Sequence, residues 1–379
     1  MIMKKFPFDK KLFFRLTARG LILGLGMLLL IHFGLPGQRK DGDRNAGAFA
    51  SSSGLLFTSM STSASARLYS DRKKYDFEPA FETIRQEFRQ VESVCNFFDP
   101  ESELSRLNRT AADKPFVCSD ELWSLLVTAR DYAEKTSGAF DVTISPLLRL
   151  WGFYRKEGRI PPDTELTQAL ERTGMEKVRF DEKNKSVFFT VRGMSIDLGG
   201  IAKGYALDRA LESIRKKYPE IKAGFLDLGG NVLSFGATFQ AAVRDPFSPN
   251  KTCAQIPIEG TRAVATSGAY ERFVTIGGRR YGHILDPRTG KPAEGCFSAT
   301  VVAASGLESD VLSTAFFVAG EGLAEKFPGV SLLILKPGRD DPGRLDCFQS
   351  GGPWTLDMPV RVPGTDSKEL KKDALSHEK

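Results

Sequence analysis

The stretch Asp197-Leu-Gly-Gly-Ile-Ala-Lys-Gly-Tyr-Ala-Leu-Asp208 decides how the rest of the chain is read. Two glycines stand just before residues 201–217, which are predicted to form a long helix, and Lys203 falls in its first turn. Glycine lets a backbone approach a phosphate closely, a helix N-terminus offers unpaired N–H groups, and an ammonium adds charge. The spacing is not that of a P-loop. A helix start with ordinary capping glycines would look the same, so the neighbouring segments must decide.

Upstream, Phe81, Ile84, Phe88, Val91 and Val94 recur at helical spacing within 78–97. Residues 120–136 predict a second helix with Ser119 as its cap. Runs at 178–180 and 186–191 predict strands joined by a turn through 181–185. Downstream, short β-type runs occupy 224–228, 241–243, 273–276, 299–303 and 331–335, with a helix over 309–319 between the last two. Helices and strands interleave irregularly without an internal repeat, which defines an α+β chain.

Two further segments carry chemistry. His32 lies in an apolar N-terminal run and His377 in the C-terminal tail, so His283 is the one histidine within the expected folded body. It sits in Arg280-Tyr-Gly-His-Ile-Leu-Asp-Pro-Arg-Thr-Gly290, where Pro287 and Gly290 punctuate a turn. An imidazole on a polar loop suits proton transfer near neutrality, with Asp286 as a candidate to orient it; a packing role is the plainer alternative. In Glu308-Ser-Asp-Val-Leu-Ser-Thr314, Asp310 and Thr314 are four apart and share a helical face. A carboxylate and a hydroxyl there are hard oxygen ligands suited to Mg²⁺ carrying substrate phosphates. An acidic helix start would give the same spacing.

Bulk properties narrow the class. The 379 residues are 41% hydrophobic and 26% charged, ordinary for a globular chain. The net charge of +6 draws on both ends: Lys4, Lys5, Lys10, Lys11, Arg15 and Arg19 at one, Lys368, Lys371, Lys372 and Lys379 at the other. The body shows no basic stripe with interleaved aromatics, so nucleic acid is not an expected partner. The five cysteines are widely spaced without a Cys-x-x-Cys pair, which argues against zinc or a thioredoxin-like motif and for buried small hydrophobes. A basic N-terminus followed by the uncharged run Leu21 to Pro36 has the form of a signal peptide or signal anchor. We read residues 1–53 as basic segment, anchor and linker, 54–362 as the folded domain, and 363–379 as a charged disordered tail. The anchor is expected to remain uncleaved and to place the domain on the periplasmic side of the inner membrane.

Together and in order, these segments resemble the ApbE family of FAD:protein FMN transferases. The resemblance begins at Met60-Ser-Thr62 and continues through Asp99-Pro-Glu-Ser-Glu-Leu-Ser-Arg-Leu-Asn108, Ser137-Gly-Ala-Phe-Asp-Val-Thr143 and Trp151-Gly-Phe153. The 197–208 block, Leu228-Gly-Gly230, Ala265-Thr-Ser-Gly268, His283 to Gly290 and Asp310 to Thr314 complete it. It implies an α+β fold with an FAD cleft between two lobes. By that similarity Met60, Phe98, Ala139, Phe140, Asp141, Asp197, Lys203 and Leu285 line the flavin site. The Gly200 carbonyl with Asp310 and Thr314 holds Mg²⁺, and His283 is the candidate base. Phe98 stands where the family usually has Tyr, Ser61 replaces Gly, Ala269 follows Thr-Ser-Gly where a polar residue is common, and Ser309 replaces Ala. None of these departures removes a metal ligand. The resemblance implies transfer of FMN from FAD to a threonine hydroxyl of an acceptor protein, within a short Ser/Thr-containing motif, with release of AMP. Hydrolysis of FAD by water, or flavin binding without catalysis, are the rival readings.

Overall fold

The computed structural model describes residues 49–155, 157–248, 251–270, 272–339 and 344–357. The basic and apolar N-terminal segment and the charged tail lie outside the described residues, as does most of the linker. The domain begins earlier than the sequence suggests, because strand β1 (Ser51–Ser59) starts inside the stretch read as linker. The start of β1, Ser51 to Gly54, lacks an apolar signature, yet the strand pairs along its whole length with β2 (Thr62–Ser70). Met60 and Ser61 join the two strands with φ of 49° and 58°, the double positive-φ geometry of a tight hairpin turn.

The chain then forms α1 (Glu78–Cys95), α2 (Glu103–Thr110), β3 (Phe116–Val117), α3 (Asp120–Lys135), α4 (Ser145–Leu150) and α5 (Asp163–Leu170). Next come β4 (Val178–Asp181), β5 (Ser186–Phe189) and α6 (Ala202–Lys217). Five strands follow: β6 (Ile221–Leu228), β7 (Asn231–Phe235), β8 (Phe239–Arg244), β9 (Thr252–Ile258) and β10 (Arg262–Gly268). After β11 (Phe273–Ile276), β12 (Arg279–Gly282) and β13 (Ser298–Ala303) come α7 (Gly306–Ala319), β14 (Ser331–Pro337), β15 (Leu345–Ser350) and β16 (Thr355–Leu356).

The central sheet has eight antiparallel strands in the order β1-β2-β6-β7-β10-β13-β14-β15. β7 and β13 are buried throughout, so neither shows the alternation of a half-exposed strand. One face of the sheet packs on the helices: Leu226, Leu233, Val301 and Ile334 join Phe88 of α1, Leu207 of α6 and Phe316 of α7 in the main core. The other face is covered partly by β8 and β9, where Ala241, Ile256 and Ile258 meet Val264 and Val302. α7 is apolar nearly all round because it is sunk between the sheet and α6. Its start is Gly306, three residues before the sequence expectation, with Ser305 as cap accepting from the Glu308 N–H. A Gly at the first helical position hides that start, and it moves Asp310 from the first turn to the second.

The five cysteines are all free and buried, as their spacing suggests. Burial pushes the Cys118, Cys253 and Cys296 thiols up to about 12, which leaves them unreactive near neutrality.

Candidate active site

The centre of the site is a crossing of two helices at their N-terminal ends. A Cβ on Gly204 would lie 2.1 Å from the Gly306 carbonyl oxygen, and one on Gly306 would lie 2.3 Å from that of Gly204. Only glycine at both positions allows α6 and α7 to approach this closely. Each helix then caps the other. Asp310 Oδ2 of α7 accepts the Gly204 N–H of α6 at 3.0 Å. Asp208 of α6 accepts the Gly306 and Leu307 N–H groups of α7 at 2.6 and 2.8 Å. The N–H donors at the two helix starts thus converge on one spot, three of them taken by Asp208 and Asp310, and the helix ends add positive partial charge there.

Asp310 is buried, with its side chain 6% exposed. Its Oδ1 faces Lys203 Nζ at 3.5 Å, longer than a hydrogen bond. Lys203 Nζ donates to the Gly199 carbonyl at 3.2 Å, folding the ammonium back over the glycine turn. One turn beyond Asp310, Thr314 Oγ meets Ser267 Oγ at 3.2 Å, and Ser267 also meets Ser313 at 2.9 Å. A Cβ on Gly200 would lie 3.7 Å from Thr314 Oγ and 3.2 Å from the Phe140 ring. A carboxylate oxygen without a hydrogen bond, a threonine hydroxyl and a bare glycine turn therefore share one recess. That donor set fits a hard divalent cation such as Mg²⁺.

Asp197 shapes the turn. Its Oδ1 accepts the Gly199 N–H at 2.8 Å and its Oδ2 accepts the Tyr154 hydroxyl at 2.8 Å. Tyr154 stacks on Phe97 with centroids 4.6 Å apart, and Phe98 stands edge-on to both rings. Phe98 is 67% exposed, so its face is free for a planar ligand. Ala139 and Phe140 are buried. The Asp141 carboxylate is committed inward, accepting from the Thr143 N–H, the Thr143 hydroxyl and the Met175 N–H. Met60 sits at the β1–β2 hairpin tip, its N–H donating to Glu92. The adjoining Gly229 N–H donates to the Ser63 carbonyl at 2.9 Å. Leu285 packs in a satellite core with Leu147, Trp151 and Leu166.

His283 follows β12. Its Nδ1 lies 3.1 Å from the Arg272 carbonyl oxygen, which can only accept. The ring proton is therefore on Nδ1, and Nε2 carries the free lone pair. Two sequence expectations change here. Asp286 does not orient His283, because it forms a two-pronged pair with Arg288 at 2.8 Å for each bond. The imidazole also does not titrate near neutrality. Burial, with the nearby Arg272 and Lys203 charges, pushes its pKa down to about 4, so the ring is neutral at physiological pH.

The structure thus brings Gly200, Lys203, Asp310 and Thr314 together with Phe140, links Asp197 to Phe98 through Tyr154, and sets His283 within the field of Lys203. Sequence reading missed Tyr154, Asp208, Gly204 and Ser267 as functional positions. Asp208 and Gly204 stand inside the opening motif, where a carboxylate four residues beyond a first-turn glycine was the available signal.

Two helix N-termini, a lysine and a hard-oxygen recess at one place define a site suited to a phosphate-bearing substrate. A "FAD:protein FMN transferase" of Treponema pallidum (strain Nichols) is 31% identical over 301 residues, covering 73% of this chain and 83% of the relative. One of Klebsiella pneumoniae (strain 342) is 31% identical over 251 residues, covering 65% and 78%. The crystal structure of the ApbE protein of Thermotoga maritima superposes with a TM-score of 0.69 at 34% identity, covering 81% of this chain and 97% of that one. The sequence profile of the ApbE family matches residues 60–331. The chain belongs to the ApbE family.

Proposed function

We propose that the protein moves FMN from FAD to a threonine hydroxyl of an acceptor protein, with Mg²⁺ bound at Gly200, Asp310 and Thr314 and AMP as leaving group. The observation that carries this is the capped crossing of α6 and α7, which sets two helix N-termini, a lysine and a hard-oxygen recess at one place. Bound Mg²⁺ would supply neutralisation of the pyrophosphate charge. Lys203 and the α6 N-terminus bind and orient the phosphates, and most of the rate gain in such a step comes from that positioning. His283 Nε2 accepts the acceptor hydroxyl's proton as its oxygen bonds the FMN-side phosphorus and the bond to AMP breaks. Tyr154 holds Asp197 so that the glycine turn keeps its shape, and Phe98 offers a stacking face.

The family resemblance supports subunits of membrane redox complexes as acceptors. The basic N-terminus followed by the uncharged run Leu21 to Pro36 supports an N-terminal anchor with the domain on the periplasmic side. The test mixes the protein with FAD, MgCl₂ and a candidate acceptor. An FMN-sized mass gain on the acceptor, matched by AMP, is expected. Equal release of free FMN and AMP with or without acceptor would establish the hydrolase instead. A reporter joined after Ser53 should be active only when exported, and cytoplasmic activity of that fusion would sink the anchor reading.

A further inference from the structure

A groove of about 830 Å³ runs beside the phosphate recess rather than over it. Its walls come from α2, α4, α5 and residues 193–195, and Phe97 and Phe98 close one end. Four arginines, Arg109, Arg149, Arg159 and Arg172, line it against one carboxylate, Glu165. Glu165 is bound to Arg159. Among the described residues no ion pair is formed by Arg109, Arg149 or Arg172, and all three are exposed. Guanidinium groups gathered without counter-charges make a field that attracts an anionic partner and offer forks matched to carboxylates.

The groove is tied to the site through its floor. The Asn108 side chain grips the Ile196 backbone in both directions, donating to its carbonyl and accepting its N–H at 2.8 Å each. The next residue is Asp197, which shapes the glycine turn at the metal recess. An occupant of the groove therefore lies against chain that runs directly into the phosphate site, and it passes the exposed face of Phe98.

We propose that the acceptor polypeptide docks in this groove through acidic residues flanking its target hydroxyl. The proposal rests on the flavin-transfer reading and names the chemistry of its partner. The open, exposed arginine rim suits an extended acidic segment. Docking there brings a neighbouring hydroxyl toward the recess and leaves the phosphate contacts of Lys203 and the α6 N-terminus to FAD.

The test uses the full chain, a fluorescein-labelled peptide of alternating Glu and Ser, and its Lys-Ser counterpart. Anisotropy should show binding of the Glu peptide only, weakened by about 0.5 M salt. In the combined variant R109Q/R149Q/R172Q that binding should weaken at least about tenfold, while the R109K/R149K/R172K variant retains most of it. FAD affinity in MgCl₂ should stay within about twofold in both variants, since charges outside the nucleotide contacts act on the partner alone. Equal binding of the two peptides, or wild-type peptide binding by the Gln variant, overturns the proposal. A parallel loss of FAD affinity also overturns it, by assigning the groove to the nucleotide. Failure of the wild-type protein to consume FAD would count against flavin transfer and is read separately from peptide binding.

Discussion

Asp310 serves the fold and the chemistry with different oxygens, so two substitutions should separate the roles. Asp310→Ala removes the acceptor of the Gly204 N–H, which is buried at the helix crossing. An orphaned buried donor costs about 1–3 kcal/mol. For a domain of this size that lowers Tm by about 1–2 °C per kcal/mol. Asp310→Asn has nearly the same shape, and its carbonyl oxygen can still accept that N–H, so its cost should stay below about 1 kcal/mol. It removes the negative charge facing Lys203 at 3.5 Å and with it the anionic ligand of the cation. A bound metal contributes several kcal/mol to transition-state charge stabilisation. Several kcal/mol at about 1.4 kcal/mol per decade is a loss of about a hundredfold to a thousandfold. Thermal melts, Mg²⁺ titrations followed by FAD turnover, and transfer assays on both variants provide the comparison. The expected pattern is a well-folded, nearly inactive Asn variant and a less stable, nearly inactive Ala variant. Wild-type turnover by the Asn variant would refute the metal role, and an Ala variant as stable as wild type would refute the capping role.

Three further outcomes follow from the geometry. His283→Gln should lower transfer by about a hundredfold to ten-thousandfold with FAD still bound. Because burial lowers its pKa to about 4, the base is present above that value and lost as pH falls through it, so the acid limb of kcat/KM should lie well below 6.5. An acid limb near 6.5, or an unchanged profile in the Gln variant, would remove the base role. Gly204→Ala should destabilise by about 1–3 kcal/mol, because strain against the Gly306 carbonyl exceeds the helix-propensity gain of about 1 kcal/mol; a stabilised variant in urea melts would contradict the close crossing. Asp227 is pushed up to about 6 by burial, so its proton is held in the folded state and its favourable contribution is lost as pH rises from about 4 through 6. Asp227→Asn keeps an acceptor for the Gly230 N–H, and it should raise Tm at pH 8 but leave it nearly unchanged at pH 4.

Much of the fold was legible where burial imposes a period. The spacing of Phe81, Ile84, Phe88 and Val91 predicts α1, and Ser119 marks the start of α3 with a side chain that accepts the Leu122 N–H. The β1–β2 hairpin was not legible, since the apolar residues of its edge strand are one short run, Leu55 to Phe57, without alternation, and its turn uses Met60 and Ser61 rather than Asn or Gly. Short helices such as α4 and α5 were also hidden, because two turns hold too few apolar positions to show a period. At the site, Asp197, Lys203, His283, Asp310 and Thr314 stood out in the motifs, whereas Tyr154, Asp208 and Ser267 did not. What could not be read were the relations between distant segments: which carboxylate caps which helix, and which carbonyl fixes the His283 tautomer.

Those relations explain why the motifs contain the residues they do. Gly204 and Gly306 lie 102 positions apart in the chain, yet each excludes a side chain at the other. Asp208 and Asp310 each lie four residues beyond a glycine of the pair, and each reaches across to cap the opposite helix. Four residues is one helical turn, so each carboxylate stands directly over its own glycine on the crossing face. The two pairs differ in what remains free. Asp208 uses both oxygens on backbone N–H groups, whereas Asp310 uses one and keeps the other beside Lys203. The local near-twofold exchange of caps thus holds the crossing, and its one asymmetry leaves an anionic oxygen where a cation and phosphates can be held.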